Sequence, residues 1–296
     1  MFLKNLLTSA FTVFALTLTA VVQSQGLTPA ESDTLKSLSA LLQRGPTDSI
    51  RIAANTLFRS QVNELLMRDP KISFDSIKNI SSLEAPGNTF RLITWALPYY
   101  KGEYSYFGFL VSTDVKSKRT QVTALTDSTA TILKPEMAKL GPSAWYGAVY
   151  YKILANKKKG KIYYTLLGWK GVNTSTTKKV IDVLYFTGNN VSFGYPIFKT
   201  GKVYKSRLVF EYQSQAVMSV HYEDNRKMIV LDHLSGGSEH AGTPSVPAGP
   251  DGTYDAFIFK NSRWELQSDI DIRTDWKPKK QPKEPQIHQA PVELIK

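Results

Sequence analysis

The chain has 296 residues, 42% apolar and 21% charged, with 18 Gly, 15 Pro and no Cys. That composition excludes collagen, coiled coil, wholesale disorder and a polytopic membrane protein, and the missing cysteine excludes disulfides, a thiolate nucleophile, Cys-ligated zinc and iron–sulfur clusters. The formal net charge of +12 favours anionic partners such as lipopolysaccharide, acidic glycans or nucleic acid.

Residues 1–24 carry one charge, Lys4, then an apolar run over 6–22 and small residues, Val22 and Ser24, ahead of Gln25. This is a signal-peptide layout with cleavage expected after Ser24. A retained anchor is the alternative, since the run is almost long enough to span a bilayer, but its Thr and Ser content and the absence of a basic stop-transfer cluster speak for removal. Cleavage removes one Lys and no acid, leaving 36 Lys+Arg against 25 Asp+Glu, a net charge of +11. Export without cysteine points to a bacterial envelope protein, periplasmic or extracellular and not lipid-anchored. The basic charge is dispersed: Lys157, Lys158, Lys159 and Lys161 fall at an expected hairpin tip, and Lys277, Lys279, Lys280 and Lys283 in a Pro-rich tail over 276–296. Lysine at tips and edges is a common solubility device, and with no compact nucleic-acid motif present, no nucleic-acid partner is expected. The expected partners are an anionic envelope glycan or lipid, with peripheral membrane association open.

Residues 25–85 form the first region. Pro29, Ala30 and Glu31 resemble a helix start, and Leu35, Leu38, Leu41 and Leu42 recur at helical spacing up to Gly45. A second helix is expected from Thr47 or Asp48, with Ile50, Ala53, Ala54, Leu57, Phe58, Gln61, Leu65 and Leu66 on one face, ending at Asp69 and Pro70. Both helices need a surface to cover, and the β-region that follows supplies one.

The second region, 86–275, reads as short runs rich in Tyr, Phe, Val and Ile between Gly, Asn, Lys and Pro clusters. Strands are expected near 90–97, 104–111, 121–125, 146–154, 162–167, 179–186, 207–212, 216–222, 227–233, 254–259 and 264–270. Short connections imply antiparallel meanders. The fold class is therefore mainly β with an N-terminal pair of α-helices, the sheet forming a sandwich, one curved sheet or a partly closed barrel. In one hairpin, a two-residue turn at Asp224 and Asn225 would place Val220 opposite Ile229, Met218 opposite Leu231 and Ala216 opposite His233.

Taken in order, WYGAVYYKIL from Trp145, YYTLLGWKG from Tyr163, KKVIDVLYF from Lys178, FGYPIF from Phe193, RLVFEY from Arg207, IVLDHL from Ile229 and GPDGTYDAF from Gly249 resemble a family of secreted proteins of unassigned function common in the Bacteroidota. The resemblance covers 90–270 and implies export and a β-rich fold, and it brings no activity. The chain departs from it at Lys170, where the pattern has an acid, and at Ala256, where it has glycine.

Three candidate chemistries stand out. Asp182 lies mid-strand among apolar neighbours, where a carboxylate needs a partner; pairing with His233 would make the orienting half of a hydrolase or transferase, although no recognisable nucleophile completes it. Asp232, His233, Glu239, His240, Asp251 and Asp255 surround a Gly-rich loop and carry zinc- or calcium-type ligands, at spacings that match no metal motif. Trp169 and Lys170 between two glycines, with Trp145 and Tyr146 at another strand end, offer aromatic faces beside donors suited to stacking on sugars or holding a peptide; equally, such rings plug sheet ends. No phosphate loop is present and no cofactor is expected. The combination reads as a non-enzymatic binding or scaffolding module of the envelope, with an Asp182–His233 hydrolase or transferase and a β-barrel carrier of an apolar ligand as alternatives. The barrel idea rests on the run 162–167, apolar on both faces.

Overall fold

The computed structural model describes residues 26–114, 117, 119–236 and 248–272. The expected signal segment, the Pro-rich tail and the central part of the Gly-rich loop, with Glu239 and His240, lie outside the described residues.

Helix α1 (Pro29–Arg44) opens on a capping box, in which the Glu31 N–H donates to Thr28 Oγ1 while the Thr28 N–H donates to the Glu31 carboxylate. Helix α2 (Asp48–Arg68) is capped by Thr47. The buried stripe of α2 runs through Ala54, Phe58, Val62, Leu65 and Leu66. Both stripes are narrower than the periodicity implied: Leu41 of α1 and Ile50 and Leu57 of α2 stay exposed, because two helices side by side on one sheet leave their outer flanks to water.

Fifteen strands follow among the described residues. The first sheet joins β1 (Ile80–Glu84), β2 (Phe90–Pro98), β3 (Tyr104–Thr113) and β4 (Thr120–Thr126) in that order. The middle sheet takes β5 (Val149–Lys158), β6 (Lys161–Gly171), β7 (Thr176–Thr187), β8 (Asn190–Phe193) and β11 (Leu208–Gln213) in the order β11-β7-β6-β5, with β8 also on β7. The third contains β9 (Phe198–Thr200), β10 (Val203–Lys205), β12 (Val220–Glu223), β13 (Met228–Ser235), β14 (Gly249–Lys260) and β15 (Arg263–Gln267) in the order β10-β9-β15-β14-β13-β12. Pairing within the sheets is antiparallel except between β9 and β15.

The sheets stack, and the core divides accordingly. Both helices pack on Ile93, Trp95, Leu97, Phe109 and Val111 of the first sheet. Its other face, with Phe90, Leu92, Tyr106 and Leu110, meets Tyr164, Leu166 and Leu184 of the middle sheet. The far side of the middle sheet, with Tyr163, Leu167, Ile181 and Val183, meets Ile229, Leu231, Phe257 and Trp264 of the third. A sheet covered on both faces has no polar side, which is why β6 and β7 read as apolar runs broken only by Thr165 and Asp182 in their centres. The apolar run at 162–167 is thus the filling of a stack, not the wall of a barrel, and no closed barrel forms among the described residues. At about 1.5–3 kcal/mol for each large apolar side chain taken out of water, this double burial is the main stabilising term.

Buried donors tie the layers together. Trp95 Nε1 donates to Asn55 Oδ1 of α2 at 2.8 Å, and Trp264 Nε1 of the third sheet donates to Thr165 Oγ1 of the middle sheet at 2.9 Å. The β12–β13 hairpin carries Val220 opposite Leu231 and Tyr222 opposite Ile229, two residues away from the register expected of a two-residue turn. The turn is longer and places Lys227 at φ 52°. A slip of two preserves the pleat, so the faces remain as expected.

Candidate functional site

Between the first and middle sheets lies a chain of buried polar groups. Asp182 and Arg207 are both fully inaccessible. Arg207 Nε donates to Asp182 Oδ2 at 2.7 Å, Tyr150 OH donates to the same oxygen at 3.2 Å, and the Val183 N–H takes Oδ1 at 2.7 Å. Trp145 Nε1 donates in turn to Tyr150 OH at 3.2 Å, and Arg207 Nη1 to the Pro135 carbonyl at 2.5 Å. Burial works against the Arg207 charge, but Asp182 beside it outweighs burial and raises the pKa. Tyr150 is pushed well above its ordinary value by burial, then by Asp182.

The same layer holds Lys170, 4% exposed. Its Nζ donates to the Gly147 carbonyl at 2.7 Å and to Thr129 Oγ1 at 2.9 Å, and sits 4.0 Å from the Tyr106 ring centre and 4.9 Å from that of Tyr146. Thr129 Oγ1 and N–H both donate to Asp127 Oδ1. Gly147, at φ +50°, passes so close to Asp127 that a Cβ there would lie 2.6 Å from the carboxylate. Burial lowers the Lys170 pKa to about 8, with Asp127 opposing. Tyr146, pushed up to about 12 by burial, has Lys170 on its ring and the Arg207 guanidinium 5.2 Å away. These groups are enclosed and mutually satisfied, apart from Arg207 Nη2, which has no partner.

The Asp182–His233 pair does not form. Asp182 faces the first sheet in company with Arg207, whereas His233 sits at a β-bulge in the third sheet, its Nδ1 2.9 Å from Asp255 Oδ2. That contact raises the His233 pKa, with burial opposing. Among the described residues His233 has no other hydrogen-bond partner, so no nucleophile is in place. The metal set is not assembled either: Asp232 accepts from the Ser219 N–H at 2.7 Å, Asp251 caps Thr253, and no group of three metal-type ligands occurs among the described residues.

The aromatic candidates split. Trp145, 0% exposed, and Tyr146, 3% exposed, plug the interior, and Lys170 is enclosed as described. Trp169 is different: half-buried, it stands edge-on to Tyr104 at 5.4 Å and lines a surface cleft of about 460 Å³ with Pro98, Val149, Ile80, Gln43 and Asn79. Gln43 and Asn79 also line a second hollow of about 530 Å³ along α1, walled by Lys36, Ser39, Ala40, Arg44, Ser76 and Lys78. The two hollows adjoin at Gln43 and Asn79, which line both, to make a trough, and no described residue lining either carries a carboxylate. Gln43 Nε2 donates to the Ala96 carbonyl at 2.9 Å and Ser39 Oγ to that of Lys78 at 2.6 Å, fixing the walls. Sequence reasoning missed Arg207, Asp127, Tyr104 and the α1 wall. The last had a signal, since positions 36, 39, 40, 43 and 44 follow helical spacing.

A further cleft of about 420 Å³ opens between the first and middle sheets at their hairpin tips, lined by Ile162, Tyr164 and Phe186 together with hydroxyl and amide groups, Asp114 and Lys161. No helix among the described residues is long and apolar enough to cross a membrane. Compared with protein-family models, curated proteins and solved structures, the chain matches none.

Proposed function

We propose that the protein is an exported envelope protein working as a non-enzymatic binding module, with the trough at Trp169 as its ligand-facing surface. One observation carries this reading: the ionisable groups of the interior are spent on one another, while the surface trough combines aromatic edges, fixed amides and hydroxyls with cations that have no acid among the lining residues. Concave sites of several hundred Å³ with few placed polar groups are the usual form of a binding site. Export rests on the N-terminal 24 residues; intact mass of the protein recovered from the envelope should begin at Gln25. For binding, the processed protein is passed over immobilised envelope fractions at low salt. Retention that falls about tenfold or more in Trp169→Ala is the expected result, and no retention of any fraction overturns the reading.

The cleft at Ile162, Tyr164 and Phe186 favours a second reading, a carrier of an apolar ligand held between sheets. Native mass spectrometry with a co-purified lipid, lost in Ile162→Glu, would establish it.

A further inference from the structure

We infer that the trough takes an acidic polysaccharide, one sugar ring stacking at Trp169 and Tyr104 while carboxylate or sulfate groups of neighbouring units lie along Lys36, Arg44 and Lys78. The inference rests on the reading of the trough as the binding surface and adds the ligand's chemistry and its direction across the fold.

Its basis is the way α1 presents its side chains. Lys36, Gln43 and Arg44 fall on one face of the helix, as i, i+7 and i+8 positions do, and with Lys78 they line one hollow, which meets the Trp169 cleft at Gln43 and Asn79. Over Lys36 to Arg44 the helix rises about 12 Å, so the cations are spread along a line and are not gathered at a point. A linear polymer with recurring anions fits a line; a single small anion does not. Lys36 is 3.7 Å from exposed Asp33, and Arg44 and Lys78 have no ion pair among the described residues.

At the other end the chemistry changes from charged to aromatic. The Trp169 and Tyr104 rings meet edge to face with an interplanar angle of 89°, leaving indole surface beside the amides of Gln43 and Asn79. Ring faces carrying C–H groups pack on aromatic surface while their hydroxyls reach amides, so this end suits a sugar. A lipid surface would meet the exposed Lys36, Arg44 and Lys78 but would leave the adjoining cleft at Trp169, which no cation among the described residues lines, without an occupant. An acidic peptide would answer the cations alone; the aromatic cleft with the amides of Gln43 and Asn79 beside it is what favours a sugar, and polyglutamate is included below to separate the two.

The test uses the processed full chain, with affinities for alginate, for dextran as its neutral counterpart, for polyglutamate and for vesicles containing an anionic lipid, at low and high salt. Alginate is expected to bind in preference to the other three. Each of Lys36→Gln, Arg44→Gln and Lys78→Gln should weaken it about two- to fivefold, the value of an exposed ion pair, and raised salt should weaken it further. Trp169→Ala should lose binding at any salt concentration. Circular dichroism of each variant confirms that the fold is retained. Dextran binding as tightly as alginate, with Trp169 required and the cations silent, would overturn the acidic assignment while leaving the trough as the binding surface. Preference for vesicles or polyglutamate would overturn the glycan, and failure of all four probes would overturn both inference and reading.

Discussion

Two sets of cations in this molecule sit in opposite circumstances. Arg207 and Lys170 are buried between sheets among local partners: a carboxylate and a carbonyl for one, with its Nη2 left over, and a carbonyl, a hydroxyl and two aromatic rings for the other. Lys36, Arg44 and Lys78 line an open hollow with hardly any. Charge that is buried must be satisfied internally or the fold fails, so its presence reports on architecture. Charge held unsatisfied in a concavity costs the fold little and is free to meet something from outside. The strongly perturbed groups of the interior resemble an active site by their pKa values alone, yet nothing in their geometry gives substrate access to them.

The sharpest way to break this contrast is to remove one member of the buried pair. Arg207→Met leaves Asp182 as an uncompensated buried carboxylate and should lower the unfolding free energy by about 3–5 kcal/mol, measured by urea denaturation. The double variant Asp182→Leu with Arg207→Met should recover most of that loss, because neither charge is then stranded. A small effect of the single variant would mean that Arg207 is not structural and would reopen the interior as a functional site.

Lys170 offers the next largest effect, and one with a sign. Its folded pKa of about 8 lies below the unfolded value near 10.5, so between these two the unfolded chain binds more protons and stability rises with pH. The full gap is worth about 3 kcal/mol. Tyr146 and Tyr150 act in the other direction: burial raises their pKa, and above about pH 10 the unfolded chain loses tyrosine protons first. Stability should therefore climb from pH 8 and turn over near pH 10. In Lys170→Met the climb should shrink to the share of Lys179, whose pKa burial also lowers, while the turnover remains. A climb of unchanged size in the variant would show that Lys170 is not the group responsible.

His233 should do much less. Its raised pKa means that the stabilisation from Asp255 is complete below about pH 6.5 and is lost as pH rises through the higher folded value. The His233 side chain is 42% exposed, so solvent screening holds the effect of His233→Gln to well under about 1 kcal/mol. A larger effect, or a loss of ligand binding, would mean that the bulge in β13 has a role beyond local structure.

Much of the architecture was legible in the sequence, for identifiable reasons. Helical spacing located α1 and α2, and alternation or apolar runs located eleven of the fifteen strands among the described residues. The strands that escaped notice are β1, whose five residues include two serines, and β8, β9 and β10, three or four residues each. Their pairing depends on distant partners more than on their own pattern. The demand of Asp182 for a partner was legible; the identity of that partner was not, because Arg207 is brought up by the pairing of β11 with β7, a tertiary event. Aromatics likewise carry no mark of which end they plug. Trp145 and Trp169 look equivalent as sequence, and only the stacking of the sheets leaves one sealed and the other at the edge of a trough.

The smallest expected effect on stability is also the most discriminating. Replacing Lys36, Arg44 and Lys78 together by Gln removes three of the positive charges on a chain with a large positive excess. None of the three makes a buried contact, so the change in unfolding free energy should stay within about 0.5 kcal/mol. Its sign at low salt should be slightly stabilising, since like charges along one face of α1 and its neighbouring turn repel each other until salt screens them. Loss of more than about 1 kcal/mol would place these cations with Arg207, as parts of the fold. An unchanged or raised urea midpoint, in a variant that no longer holds alginate, would separate the two sets of charges by experiment: one set maintains the stack of sheets, and the other is left exposed for a partner outside it.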